Sequence, residues 1–273
     1  MSLWTPRRLE QSLWLDFADE DSLTVVDDKI SQVLDKSGDE RHATEPVLAR
    51  RPDYSVSGLN GLSVATSPGS STLGGPGFDV AQASWGSSVS ICSLVQTFAD
   101  ASMSTVSAGV FDCATSVNFG GSFGIRHDMI SNSYRFGVSA GGVSDFGVVD
   151  RVGRTSWVLF ISVYDETAGR TIFVDGVPVF SDSKTGAIRY DGVGDTQIMR
   201  LTNRTRALWG GLAELSVISS VLAESDRQKM EGYLLHKWGL SANLPDGHPY
   251  KDSPPKAGST RRRRMMMMQR GGL

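Results

Sequence analysis

With 273 residues, 40% of them hydrophobic, and 30 glycines, the chain is long enough to bury a full core and rich enough in turn formers to favour many short strands. Its formal net charge of −3 argues against a broad nucleic-acid-binding surface, and no apolar run approaches the ~20 residues that a membrane helix needs. Two cysteines, Cys92 and Cys113, lie far apart without Cys-x-x-Cys spacing, which supports neither a disulfide framework nor a zinc site and predicts free, buried thiols.

The N-terminus lacks the basic-then-apolar layout of a secretory signal, so synthesis and assembly in a cytoplasm are expected. Early in the chain stand Leu13-Trp14-Leu15-Asp16, then Val33-Leu34-Asp35-Lys36-Ser37-Gly38, Arg41-His42-Ala43-Thr44 and Arg51-Pro52-Asp53-Tyr54. The acids at Asp16, Asp19, Glu20 and Asp21 are explained by turn chemistry and solvation. Residues Ser67 to Gly77 form a Gly/Ser/Pro stretch expected to be a flexible segment. Ser88 to Phe98 is rich in β-branched and apolar residues and reads as a central strand. Shorter strands follow at Val106–Asp112, Phe119–Arg126 and Tyr134–Ala140, each bounded by Gly, Ser or Asn. Trp157 to Tyr164 is the next strong strand, with Trp157 expected in the core. Asp165 to Gly169 makes a hairpin loop, Arg170 to Val174 returns to the Asp175-Gly176 turn, and Val177 to Phe180 completes the second hairpin. Asp175 is read as a turn former rather than a ligand.

The segment Gly211 to Gly239 is one strand followed by one helix. Leu212 to Ser219 alternates with the period of a half-buried strand, and after Leu222 the period becomes helical. Over about 223–238, Met230, Tyr233, Leu234 and Trp238 share one face, and the charged residues are assigned to a solvated face. Ser225 with Gln228 forms a candidate capping box, and Gly239 sits where a left-handed C-cap is expected. Leu244 to Tyr250 then ends regular structure, with His248 placed in a surface loop.

These opening and closing signatures, roughly 200 residues apart as one sandwich domain requires, resemble the laminin G-like, concanavalin A-like jelly rolls of tailed-phage and prophage virion proteins. Ile172-Phe-Val-Asp-Gly176 resembles the centre of the same pattern. The resemblance implies an all-β fold: an antiparallel jelly-roll β-sandwich of the lectin and glucanase type over residues 1–250, with one short C-terminal helix. It further implies a non-enzymatic structural subunit of a virion assembled in a bacterial host cytoplasm, as capsid decoration, tail, baseplate or fibre-associated protein. Its partners would be other virion proteins and copies of itself. A host-glycan-binding adhesion module is the alternative function, and a glycoside hydrolase the third.

Catalysis by paired carboxylates needs two acids facing one another about 5 Å apart for a retaining glycosidase, and no Glu-x-Asp-x-x-Glu strand occurs. His42, His127, His236 and His248 are scattered without metal-ligand spacing and are read as structural. No cofactor is expected; calcium held by rim loops stays open, with no ligands to name. For carbohydrate contact the candidates are Trp85, beside Gly86 and several serines, and Tyr190, within Arg189-Tyr-Asp-Gly192; both are expected at the surface.

Residues 251–273 form a separate C-terminal arm: a linker, then Arg261, Arg262, Arg263 and Arg264 followed by Met265, Met266, Met267 and Met268. The arm carries a net +6 on a body of −9, a polarity suited to docking on an acidic protein. Arginines pair with carboxylates at a rim while methionines fill irregular apolar grooves, so these eight residues are the candidate partner-docking site. Nucleic acid is disfavoured because no aromatic residue interleaves with the arginines, and four methionines cannot span a membrane.

Overall fold

The computed structural model describes residues 2–70, 74–81, 84–98, 108–114, 122–128, 133–140, 143–150, 156–190, 194–204 and 206–257. The first strands are β1 (Gln11–Asp16), β2 (Leu23–Val26), β3 (Lys29–Val33), β4 (Ala43–Thr44), β5 (Asp53–Leu59) and β6 (Leu62–Ser70). There follow β7 (Phe78–Val80), β8 (Val89–Thr97), β9 (Ala108–Ala114), β10 (Ser122–Asp128), β11 (Ser133–Ala140) and β12 (Val143–Asp150). The last group is β13 (Val158–Asp165), β14 (Gly169–Val174), β15 (Val177–Asp182), β16 (Thr196–Ile198), β17 (Ala207–Ile218) and the helix α1 (Glu224–Lys237).

Every pairing between these strands is antiparallel, and the ladders build two layers. In one, β8 runs along one side of β17, while β6 and β1 pair end to end along the other. β13, β14 and β15 continue outward from β8, and β5 lies beyond β6. The second layer runs β4, β7, β16, β9, β10, β11, β12, with β3 and β2 outside β4. One pairing, Lys29 opposite Asp53, ties the layers at an edge. The expected β-sandwich is therefore the observed architecture.

Side-chain alternation explains why the layers stack. On β8, Val89, Ile91 and Val95 enter the core between the sheets, where they meet Phe111, Phe123, Phe136 and Ile198 from the facing layer. Cys92 and Leu94 point the other way, into a second core beneath α1. A strand covered on both faces carries apolar residues at both parities, which is why Ser88 to Phe98 reads as central. Both cysteines are buried, and no disulfide joins them. β17 obeys the same rule with one interruption: the register against β8 shifts between Leu212 and Glu214. This bulge leaves Leu212, Leu215 and Val217 inward and turns Ala213 and Ile218 to the helix.

The closing helix does not start as its sequence suggests, but it stops as expected. Ala223 occupies the N-cap position and no side chain caps it, so the Ser225 and Gln228 capping box does not form. The C-terminus follows expectation: Gly239 has φ of +68°, its N–H donates to His236 O at 3.2 Å, and the Leu240 N–H donates to Leu235 O at 2.7 Å. These two bonds make a Schellman cap, which needs the left-handed conformation glycine adopts without strain. Met230, Leu234 and Trp238 are buried as expected. The stretch read as flexible is partly regular, since β6 runs through Ser70, its backbone paired to residues 207–212 of β17. That pairing overrides the poor strand propensity of Pro68 and Gly69.

The two ends of the described chain meet on the helix side. The Trp4 N–H donates to Pro255 O and the Ala257 N–H to Ser2 O, both at 2.9 Å, and Leu3 bridges Lys256. Trp4 is buried edge-on against Tyr233, ring centroids 6.1 Å apart.

Candidate functional site

Of the residues singled out for glycan contact, Trp85 is not at the surface. Its relative exposure is 0%, its ring packs edge-on to Phe111 at 5.8 Å, and the Arg41 guanidinium lies 4.9 Å above it. The neighbouring glycine and serines shape the backbone before β8, but they do not determine where a large ring goes; the inter-sheet core takes it. Tyr190 does lie close by, since its hydroxyl donates to Gly86 O at 2.7 Å, and burial raises its phenol above the ordinary value. Its ring meets Phe123 edge-on. The two candidates are thus brought together, as a packed corner of the core rather than an open platform. Trp157, by contrast, is buried as expected, in the core under the helix. Arg261, Arg262, Arg263, Arg264, Met265, Met266, Met267 and Met268 lie outside the described residues.

The acids of the opening signature also need correction. Asp16 is buried, not solvated: Lys237 Nζ sits 2.5 Å from its Oδ1 and 2.6 Å from Glu214 Oε2. Lys36 adds contacts of 2.9 Å to Asp16 and 2.6 Å to Asp19. The indole N–H groups of Trp14 and Trp238 donate to Glu214 at 2.8 and 2.9 Å. Burial raises the Asp16 carboxyl, but Lys237 and Lys36 outweigh it and hold it below its ordinary value. Glu214 is pushed up by burial and by the Asp16 charge. Two facing carboxylates therefore exist, yet a lysine is wedged between them and two indoles engage the second. The arrangement is a joint between the opening signature and the closing helix, with no room for a sugar.

An accessible concavity lies elsewhere, on the outer face of β13 to β15 beside the start of α1. It is a groove of about 480 Å³ lined by Val163, Thr171, Phe173, Pro178, Leu222, Glu224 and Arg227. Strand pairing sets it: Val163 stands opposite Thr171 and Phe173 opposite Pro178, so alternate side chains of three strands present one floor. The helix covers the sheet further along and supplies the wall. Arg227 lies flat on Phe173, its guanidinium carbon 3.9 Å from the ring centroid. Its Nη1 donates to Glu231 Oε1 at 2.5 Å, and Glu231 Oε2 meets His248 Nε2 at 3.0 Å.

These contacts revise two expectations. Arg227, Glu231 and Lys237 belong to buried networks rather than a solvated helix face. The His248 side chain is 4% exposed, not displayed in a surface loop, because the chain after α1 folds back over the helix. Glu224, at the groove's mouth, is exposed and accepts from Gln228 at 3.3 Å. The alternation of Val163, Thr171 and Phe173 was visible in the sequence as hairpin strands, but an outward-facing ring there was not distinguishable from a buried one. Asp175 is confirmed as a turn former, with φ of +49° and its Oδ1 accepting the Leu159 N–H at 2.9 Å. Among the described residues no three acidic, histidine or cysteine groups converge as metal ligands, and no helix is long and apolar enough to cross a membrane.

No protein-family model matches the chain, and no curated protein does. Solved structures do match. A structure of botulinum neurotoxin type C, whose cell entry depends on interaction with two ganglioside molecules, superposes with a TM-score of 0.55 at 13% identity, covering 82% of this chain and 51% of that one. The binding domain of botulinum neurotoxin DC, in complex with rat synaptotagmin II, gives 0.56 at 12% identity over 84% and 52%. A sialidase of Trypanosoma rangeli in complex with the inhibitor DANA gives 0.51 at 10% identity over 78% and 31%. What is shared is the sandwich. The chain spans about half the length of the neurotoxin structures it matches, and at these identities the likeness shows the fold alone.

Proposed function

We propose that this protein is a non-enzymatic glycan-recognition module, and that the groove between α1 and the β13 to β15 face is where a saccharide sits. The groove carries this reading. It joins the Phe173 ring, one face of which Arg227 covers, with apolar walls from Val163, Pro178 and Leu222 and polar groups at Thr171 and Glu224, the mixture of apolar contact and oriented hydrogen bonding by which small polar ligands are held. Its place on a sandwich like those of ganglioside-interacting and sialidase structures supports the same reading. Thr171→Trp fills the groove from an outward-facing position. Glycan-array signal from the wild-type protein that vanishes in this variant, with the thermal midpoint unchanged, is the expected result; equal signal from both proteins places recognition elsewhere.

A second reading, a structural virion subunit assembled in a bacterial cytoplasm, rests on the sequence resemblance of the opening and closing signatures, which meet at the joint of Asp16, Lys36, Glu214, Lys237 and Trp238. These residues come from the opening and closing signatures that resemble virion jelly rolls. On this reading Arg261 to Met268 dock the protein on its neighbours, and deleting residues 259–273 abolishes incorporation into the particle. Unchanged incorporation sinks it.

A further inference from the structure

The groove holds one arginine, and an arginine in a saccharide site ordinarily suggests an acidic sugar. The surroundings of this arginine argue otherwise. Arg227 is bound to the fully buried Glu231, and its face is occupied by Phe173, so its charge is cancelled and its flat side is spent. What remains is negative. Glu224 is exposed at the mouth, and among the described residues its carboxylate meets Gln228 alone, through Oε1. Asp165 follows Val163 by two residues and continues the same sheet face. Three hydrogen bonds from Thr167 and Ala168 to Asp165 Oδ1 hold its carboxyl below the ordinary value, led by that from the Thr167 hydroxyl. The one further acid of the helix's first turn, Asp226, is paired with Lys229 at 2.7 Å.

Resting on the recognition reading above, we propose that the groove selects by charge: it takes saccharides that carry a free amine or no charge, and it rejects those that carry a carboxylate. An amine placed near Glu224 gains a charge-assisted hydrogen bond. A carboxylate there meets Glu224, with Asp165 further along the strand, and among the described residues lining the groove the one cation, Arg227, is already paired with Glu231. The ligand class is then an amino- or neutral-hexose chain, opposite in sign to the acidic sugars an unpaired arginine would hold.

The test is a calorimetric titration of the full chain at pH 6, where the glucosamine amine is protonated and galacturonate is ionised, and at low salt with three oligomers of equal length: glucosamine, N-acetylglucosamine and galacturonate. The glucosamine oligomer is expected to bind at least about tenfold tighter than galacturonate, with N-acetylglucosamine between them. Glu224→Gln, an exposed substitution, should weaken the glucosamine oligomer about three- to tenfold and leave N-acetylglucosamine unchanged. Galacturonate binding as tightly as glucosamine, or a glucosamine affinity indifferent to Glu224→Gln, overturns the charge rule while leaving glycan recognition standing. Silence with all three oligomers, together with a blank glycan array, removes recognition itself.

Discussion

Asp175 shows how a single turn residue couples folding to pH. Its side chain must reach back to the Leu159 N–H, and this puts the carboxyl where burial, with a smaller push from Glu231, raises it to about 6 from an ordinary 3.8. The folded carboxyl therefore holds its proton more tightly than the unfolded one, so stability rises as pH falls through about 6. Asp175→Asn keeps an acceptor and tolerates positive φ; urea midpoints should show it more stable than wild type at pH 7.5, by on the order of 1–2 kcal/mol, with the gap closing at pH 5. Lys237 tells the opposite story. Lys237→Met leaves Asp16 and Glu214 buried and face to face, at a cost of about 3–5 kcal/mol, and acid should partly restore that variant where protonation relieves the pair. The site itself was the least legible part of the chain. Trp85 looked exposed because its neighbours are polar, whereas Arg227 looked solvated because charges on a helix usually are; neither a ring's direction nor the long-range pairing of Glu231 and His248 leaves a local pattern.

At the scale of elements, periodicity carried far. The strands read from alternation between Ser88 and Phe180 have counterparts in β8 to β11 and β13 to β15, and the closing helix in α1, whereas β12 was not anticipated. β4, β7 and β16 were invisible because two or three residues have no period; each exists only because a neighbouring strand pairs with it. The two ends of α1 make a direct comparison between motif and geometry. Gly239→Ala forces a left-handed alanine whose Cβ would lie 2.8 Å from Asn60 Nδ2, and should cost about 1–2 kcal/mol. Ser225→Ala, which removes the residue best placed by sequence to cap the helix, should change stability by less than about 0.5 kcal/mol because no capping bond exists. Paired thermal melts of the two variants decide the matter, and equal losses would mean that the N-terminal cap forms after all.

For the molecule as a whole, three layers rather than two account for its stability: sheet, sheet and helix, with the layer built on β17 apolar on both sides. Trp4 belongs to the outer core although it precedes every strand, and Trp4→Ala should cost about 3–5 kcal/mol, with hydrogen exchange at residues 253–257 rising beyond what global unfolding explains. A wild-type exchange pattern in that variant would mean the terminal pairing stands without the indole. The contact of Ser2 and Leu3 with Lys256 and Ala257 has a topological consequence. Because residues 2 and 257 already lie within one hydrogen bond of each other, linear order is separable from architecture: a short linker from 257 to 2, replacing residues 258–273, with new termini cut at the Asp27-Asp28 hairpin tip, yields a circular permutant whose strands keep every partner. The same adjacency makes the sandwich a cassette, able to be spliced into an exposed loop of another protein and to leave that loop's two anchor points nearly where they were.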